Sequence, residues 1–186
     1  MKILLHHNIE SLLPAVDAIP DSAILRDGKP FFIPEWSETW TYTPYLAFKI
    51  SRLGKNIASR FAMRYVDAVT IALRVTPVEA TETVAKTDIQ RGVVTAFDSS
   101  IILGEWTPIP MSESRITMEI GGHTIELDDV VDRLATSIEN LSKYFTLKMG
   151  DIIIPPTLSN TTIPMVIDTT VIGKVNNTEV LKFNIK

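Results

Sequence analysis

A chain of 186 residues is long enough for one well-packed domain and short for two. Apolar residues make up 45% and charged residues 22%, a balance that excludes general disorder. The net charge of -4 argues against a nucleic-acid binder, and the absence of cysteine excludes disulfides, thiolate zinc sites, iron–sulfur clusters and cysteine nucleophiles.

The opening MKILLHHNIESLLPAV has its apolar run broken by His6, His7 and Asn8, so it does not read as a secretory segment. Apolar stretches such as Ile152 to Ile154 are far too short to span a bilayer. A soluble, cytoplasmic protein is expected. Asp27-Gly28-Lys29-Pro30 reads as a turn, and Phe31 to Ile33 as a short strand stopped by Pro34. Thr41 to Ile50 is rich in aromatic and β-branched residues and reads as a strand, with Pro44 marking an edge, a bulge or its start. Leu53 to Asn56 is a turn, and Ala58 to Tyr65 a short helix with Phe61 and Tyr65 on one face. Val69 to Val75 has a buried-strand pattern interrupted by one cation, Arg74. Glu79 to Ile89 reads as a loop or frayed helix, and Ile101 to Leu103 as a strand.

Ile116 to Ile120 and Thr124 to Leu127 flank Gly121-Gly122-His123, a hairpin signature. The strongest helix follows, with Asp128 or Asp129 as its N-cap. Val130, Val131, Leu134, Ile138 and Leu141 form its apolar stripe, and Lys143 and Lys148 lie at or beyond its end. Met149-Gly150-Asp151 turns into the buried strand Ile152 to Ile154. Strand candidates at Met165 to Ile172 and Glu179 to Ile185 flank a turn at Lys174 to Thr178. Many short strands with one or two helices predict an α+β, mainly β fold.

Composition and spacing offer little chemistry. His6 and His7 are adjacent, so on a strand they face opposite ways and do not share a metal easily. His123 reads as a solvated turn residue, and Asp151 as a turn acid. No GxSxG, HExxH, P-loop or dinucleotide fingerprint is present.

Three blocks carry a resemblance. The first is DSAILRDGKPFFIPEW, TYTPYLAFKISRLGKNIASRFAMRY and VDAVTIALRV, from Asp21 to Val75. The second runs from Ala96-Phe97-Asp98 to Trp106, and the third is LSKYFTLKMGDIII, from Leu141 to Ile154. In order and spacing these segments, with the ending EVLKFNIK, resemble the fumarylacetoacetate hydrolase family from about residue 21 onward. The resemblance implies a single domain over 1–186 with residues 1–20 as a shortened N-terminal segment. It implies a mixed β-roll like the family's C-terminal domain, in a homodimer. It also implies chemistry on 2-oxo acids such as acylpyruvates, with Mg²⁺ or Mn²⁺ stabilising the enolate.

Carried over residue by residue, the resemblance puts other chemistry at the centre. The family's two metal glutamates fall on Thr43 and Tyr45, its metal aspartate on Arg74, and its active-site lysine on Thr95. Its substrate loop becomes Pro155-Pro156-Thr157-Leu158, whose prolines lack N–H donors. The N-terminal dyad cannot be placed; His6, His7 and Glu10 are the nearby candidates. Three carboxylates would bring about three negative charges to a divalent ion, whereas Thr43, Tyr45 and Arg74 bring one positive charge. The expectation is a non-catalytic homologue that binds no metal or other cofactor, with a vestigial pocket at Thr43, Tyr45, Arg74, Thr95, Asp98 and Thr157. In that reading Arg74 fills the pocket and pairs with an acid such as Glu79 or Asp98. The alternative is a metal-independent enzyme or binder that holds a small carboxylate on Arg74. A third reading shifts the register to a carboxylate set of Glu79, Glu82 and Asp98. Tyr42, Phe48, Phe61 and Tyr65 are core or interface candidates, core being preferred. The expected partners are a second copy of the chain and a small anion, with neither nucleic acid nor membrane.

Overall fold

The chain opens with an antiparallel pair, β1 (Lys2–His6) and β2 (Val16–Pro20), followed by the short β3 (Ile24–Arg26). The computed structural model describes residues 1–9, 12–26, 28–84, 91–110, 115–157 and 161–186. Two long strands come next, β4 (Trp40–Ile50) and β5 (Val66–Pro77), joined through a 3-10 turn at Ser59–Tyr65. Helices α1 (Val78–Val84) and α2 (Arg91–Ala96) lead into β6 (Ile101–Leu103) and β7 (Thr107–Pro108). The hairpin β8 (Arg115–Ile120) and β9 (His123–Asp128) precedes α3 (Val130–Ser142). β10 (Ile152–Ile154), β11 (Ile163–Pro164), β12 (Thr170–Val175) and β13 (Thr178–Asn184) complete the chain.

One sheet runs in the order β2-β1-β10-β4-β5-β6-β3, with β11 added to β4 and β7 to β5. A second runs β13-β12-β8-β9. The mainly β expectation holds. The large sheet separates two apolar cores because side chains alternate across it. Tyr42, Leu46 and Phe48 of β4 and Ile71, Leu73 and Val75 of β5 enter the larger core, together with the second sheet and Leu134, Ile138 and Leu141 of α3. Ala47, Ala72, Ile3, Leu5, Ile19, Ile101 and Ile152 point the other way into a smaller core. Pro44 pairs with Leu73 of β5 in mid-strand. On the other flank of β4, β11 meets Thr41 and Tyr42 and β10 meets Phe48 and Lys49, so Pro44 lies in the gap between them. A proline lacks a donor, and that gap asks for none.

Several expectations need correction. Phe31 to Ile33 forms no strand: Phe31 makes one isolated bridge to Ile185, and Pro30 and Pro34 bound the segment. The short helix at Ser59–Tyr65 is a 3-10 turn. Of the loop or frayed helix expected at Glu79 to Ile89, the described part is helical, over Val78–Val84, and 85–90 lie outside the described residues. The hairpin turn is Gly121-Gly122, both at positive φ (54° and 82°), and His123 already belongs to β9. Asp129 occupies the N-cap of α3 in left-handed conformation and makes no side-chain cap bond, so the expected carboxylate cap is not formed. Asp151 closes the turn from Lys148, as expected, but it is also buried and accepts from Lys2 N at the other end of the chain. Tyr42 and Phe48 are core residues, whereas Phe61 is exposed.

Candidate functional site

Pairing of β4 with β5 sets Thr43 directly opposite Arg74, with Tyr45 two residues further along and on the same face. This is the face that carries the smaller core. Three of the six expected pocket residues therefore meet. Arg74 is only 19% exposed, and its guanidinium has found an acid that the sequence reading missed. Asp17 of β2, paired across the sheet with Leu5 of β1, projects into the same space and is 8% exposed. Arg74 Nη1 lies 3.3 Å from Asp17 Oδ2, and Arg91 Nη2, at the start of α2, lies 3.2 Å from Asp17 Oδ1. His7 Nε2 stands 2.9 Å from Asp17 Oδ2, and the ring is the donor because an ionised carboxylate only accepts.

Burial alone would push the Asp17 carboxyl up. Burial is the largest single influence, but the His7 hydrogen bond and the positive charges of Arg74, His7 and Arg91 together outweigh it and hold the carboxyl below its ordinary range. Burial pushes the Tyr45 phenol up; Arg74 opposes that shift and Asp17 adds to it. Tyr45 is thus a neutral donor beside an ion cluster. One carboxylate serves two guanidiniums, so the cluster keeps a positive charge even with His7 neutral.

The remaining expected residues fall elsewhere. Arg74 pairs with neither Glu79 nor Asp98. Glu79 accepts from Ser37 Oγ at 2.6 Å and Thr39 N at 3.0 Å, and these bonds hold it down at about 2. Asp98 is exposed in the turn after α2. The Thr95 hydroxyl donates to the carbonyl of Arg91 at 2.8 Å, so it reaches the cluster only through the helix turn that carries Arg91. Thr43 has its hydroxyl 3.4 Å from that of Thr162. Thr157 lines a different cavity of about 360 Å³ with Leu46, Ile125, Val130 and Arg133. Leu46 points to the opposite side of β4 from Tyr45, so Thr157 is not brought to the cluster. Among the described residues no three His, Asp or Glu side chains gather as a metal site, so Glu79, Glu82 and Asp98 do not converge. His6 and His7 do diverge: His6 Nδ1 meets Ser137 Oγ of α3 at 2.9 Å, on the far side of the sheet from Asp17. Glu10 lies outside the described residues.

Asp17 and Arg91 are the residues that sequence reasoning missed. The signal for Asp17 was an acid flanked by apolar residues in VDAIP, a strand alternation that places the carboxylate on a buried face. Arg91 follows a polar segment and carried no comparable signal.

Residues 10–180 match the family model described as the fumarylacetoacetate (FAA) hydrolase C-terminal domain. The chain belongs to the fumarylacetoacetate hydrolase family. The matched region includes β2 and therefore Asp17. Among curated proteins it is 21% identical over 171 residues to a mitochondrial oxaloacetate tautomerase of Caenorhabditis elegans, covering 88% of this chain and 75% of that one. Among solved structures, a putative family member from Yersinia pestis superposes with a TM-score of 0.84 at 20% identity, covering 100% of this chain and 93% of the other. A fumarylpyruvate hydrolase from Pseudomonas aeruginosa, in complex with Mn²⁺ and pyruvate, gives 0.82 at 16% identity, with 100% and 89% covered. At such identities the structural likeness establishes the fumarylacetoacetate hydrolase fold. Its chemistry in this chain depends on the residues just described.

Proposed function

We propose that this chain is a non-catalytic member of the fumarylacetoacetate hydrolase family, in which an internal ion pair replaces the metal centre. The observation that carries this reading is the contact of Arg74 with Asp17 at 3.3 Å, with Arg74 directly opposite Thr43. A hard divalent cation asks for several oxygen donors, carboxylates among them. Thr43 and Tyr45 offer neutral oxygens, and Asp17 is already shared by Arg74, Arg91 and His7. This donor set does not fit Mg²⁺ or Mn²⁺. A second positive charge beside Arg74 in a partly buried site meets a repulsion of several kcal/mol. The reading extends, on family resemblance, to a homodimer in the cytoplasm; among the described residues no helix is long and apolar enough to cross a membrane.

Calorimetric titration with Mn²⁺, combined with turnover assays on oxaloacetate and fumarylpyruvate, tests the proposal. No heat of binding and no metal-dependent turnover are expected. The variant Thr43→Glu/Tyr45→Glu/Arg74→Asp is expected to gain Mn²⁺ binding. Turnover by the natural chain in the usual enzymatic range of about 1–1000 per second would overturn the reading.

A second reading rests on the surplus charge. Two guanidiniums against one carboxylate leave room for a second carboxylate, and Arg91 is 57% exposed and able to reorient. Here the chain holds a small oxo acid without metal. Thermal-shift measurements with oxalate and pyruvate, repeated on Arg74→Ala and Arg91→Ala, are expected to show stabilisation that both substitutions remove. No shift in the natural chain eliminates this second reading.

A further inference from the structure

At the other end of β4 from Thr43, seven residues and so roughly 23 Å along the strand, the chain turns through Arg52-Leu53-Gly54-Lys55 and enters the 3-10 turn Ser59–Tyr65. The segment after α3 is stitched against it. Gly54 N donates to Leu147 O at 2.9 Å, Leu147 N returns a bond to Gly54 O at 2.8 Å, and Asn56 N donates to Ser142 O at 3.0 Å. This pairing gathers Arg52, Lys55, Arg60, Arg64, Lys143 and Lys148 at one end of the molecule, all exposed. No acidic residue occurs from Lys49 to Val66; the acids on the flanking elements are Asp67 on β5, Asp132 and Glu139 on α3, and the buried Asp151, which pairs with Lys2. Among the described residues none of the six cations forms an ion pair with a carboxylate. A chain whose net charge is -4 therefore carries a third of its 18 cations on one unneutralised face.

Large apolar side chains stand among these cations. Leu53 is 69% exposed and Met149 76%, each at the tip of its own turn, and Tyr144 is half exposed beside Lys143. Protruding apolar tips ringed by Lys and Arg match the chemistry of an anionic lipid interface, where headgroups take the cations and the acyl boundary takes the tips. We propose that this end of the molecule docks on an anionic membrane surface through Arg52, Lys55, Arg60, Arg64, Lys143 and Lys148, with Leu53 and Met149 entering the lipid. The expectation of no membrane partner rested on the lack of a spanning segment, and a surface contact needs none. A single-stranded nucleic acid would seek an aromatic platform, but the Phe61 ring is already flanked by its own Arg60 and Arg64 guanidiniums, 4.7 and 4.9 Å from the ring centre. A symmetric contact with a second copy would set six cations against six. The proposal is independent of the Asp17 cluster.

Sedimentation of the full chain with phosphatidylcholine vesicles, with and without phosphatidylserine, tests it. Pelleting is expected only with the anionic vesicles and is expected to weaken as salt rises. Each cation replaced by Gln is expected to cost about fivefold in affinity. The charge reversal Arg52→Glu/Lys55→Glu/Arg60→Glu/Arg64→Glu is expected to abolish binding. Leu53→Ser/Met149→Ser leaves the charge unchanged and is expected to weaken binding roughly tenfold. Circular dichroism confirms that each surface variant is folded. Failure to pellet with anionic vesicles at low salt, or equal pelleting with neutral ones, overturns the proposal. So does a Leu53→Ser/Met149→Ser variant with unchanged binding that soluble polyglutamate or RNA displaces, because that assigns the face to a soluble polyanion.

Discussion

Asp151 and Asp17 are both buried carboxylates with charged partners, and they are built for different ends. Asp151 is 1% exposed. It accepts from the backbone N–H groups of Lys2 (3.0 Å) and Lys148 (2.8 Å) and forms an ion pair with the Lys2 ammonium. One charge meets one charge, and two otherwise unpaired donors are satisfied, so the group ties the start of β1 to the turn before β10. Asp17 is instead surrounded by the side chains of Arg74, Arg91 and His7. Its surroundings hold more positive charge than it can neutralise. A saturated carboxylate fastens chain segments, whereas an oversubscribed one leaves a net positive field around it.

The contrast is open to attack by substitution. Asp151→Ala removes the buried anion that faces the Lys2 ammonium and the acceptor of two part-buried N–H groups, and an unfolding loss of about 3–5 kcal/mol is expected by urea denaturation. Asp17→Ala releases Arg91 to solvent and leaves Arg74 partly able to follow, so a smaller loss of about 1–3 kcal/mol is expected. The pair of variants loses its meaning if Asp17→Ala proves the more damaging. A double-mutant cycle between Asp17→Ala and Arg74→Ala sharpens it further, with an expected coupling of about 1 kcal/mol. Additive losses would show that the 3.3 Å contact is not an energetic pair.

How the two regions could be read from sequence follows from the same geometry. The β4–β5 spine was legible because TYTPYLAFKI and VTIALRV carry strand chemistry over a long run, and Arg74 stood out as the lone cation. Its partner was not. Asp17 lies on β2, and β1, β10 and β4 separate β2 from β5 in the sheet. In a flat sheet four strand spacings amount to about 19 Å. The contact exists because the sheet curls, a property of strand order and twist that no local pattern encodes. The stabilising role of Asp151 was hidden for a similar reason: Met149-Gly150-Asp151 has turn chemistry, while the burial of Asp151 depends on Lys2, at the opposite end of the chain. The Asp129 cap failed because that residue, where the hairpin meets the helix, is left-handed, whereas a capping residue ordinarily takes an extended backbone.

The smallest expected effect concerns the imidazoles that β1 sends to either side of the sheet. Burial, and secondarily the neighbouring His7, hold the His6 ring below its ordinary value of 6.5. Unfolded, His6 takes up a proton near that value; folded, it does so only in more acid solution. Between the two, the unfolded chain binds more protons, so stability falls as pH drops through this window and levels off below the folded value. Asp17 follows a separate course. Its folded carboxyl titrates below the ordinary range, so its contribution persists above that range and is lost only on further acidification. Melting temperatures between about pH 7.5 and about pH 5 should therefore decline in the natural chain and decline less in His6→Gln, whose amide can still meet Ser137. An identical slope in both proteins would place the proton uptake elsewhere and remove His6 from the account of acid sensitivity.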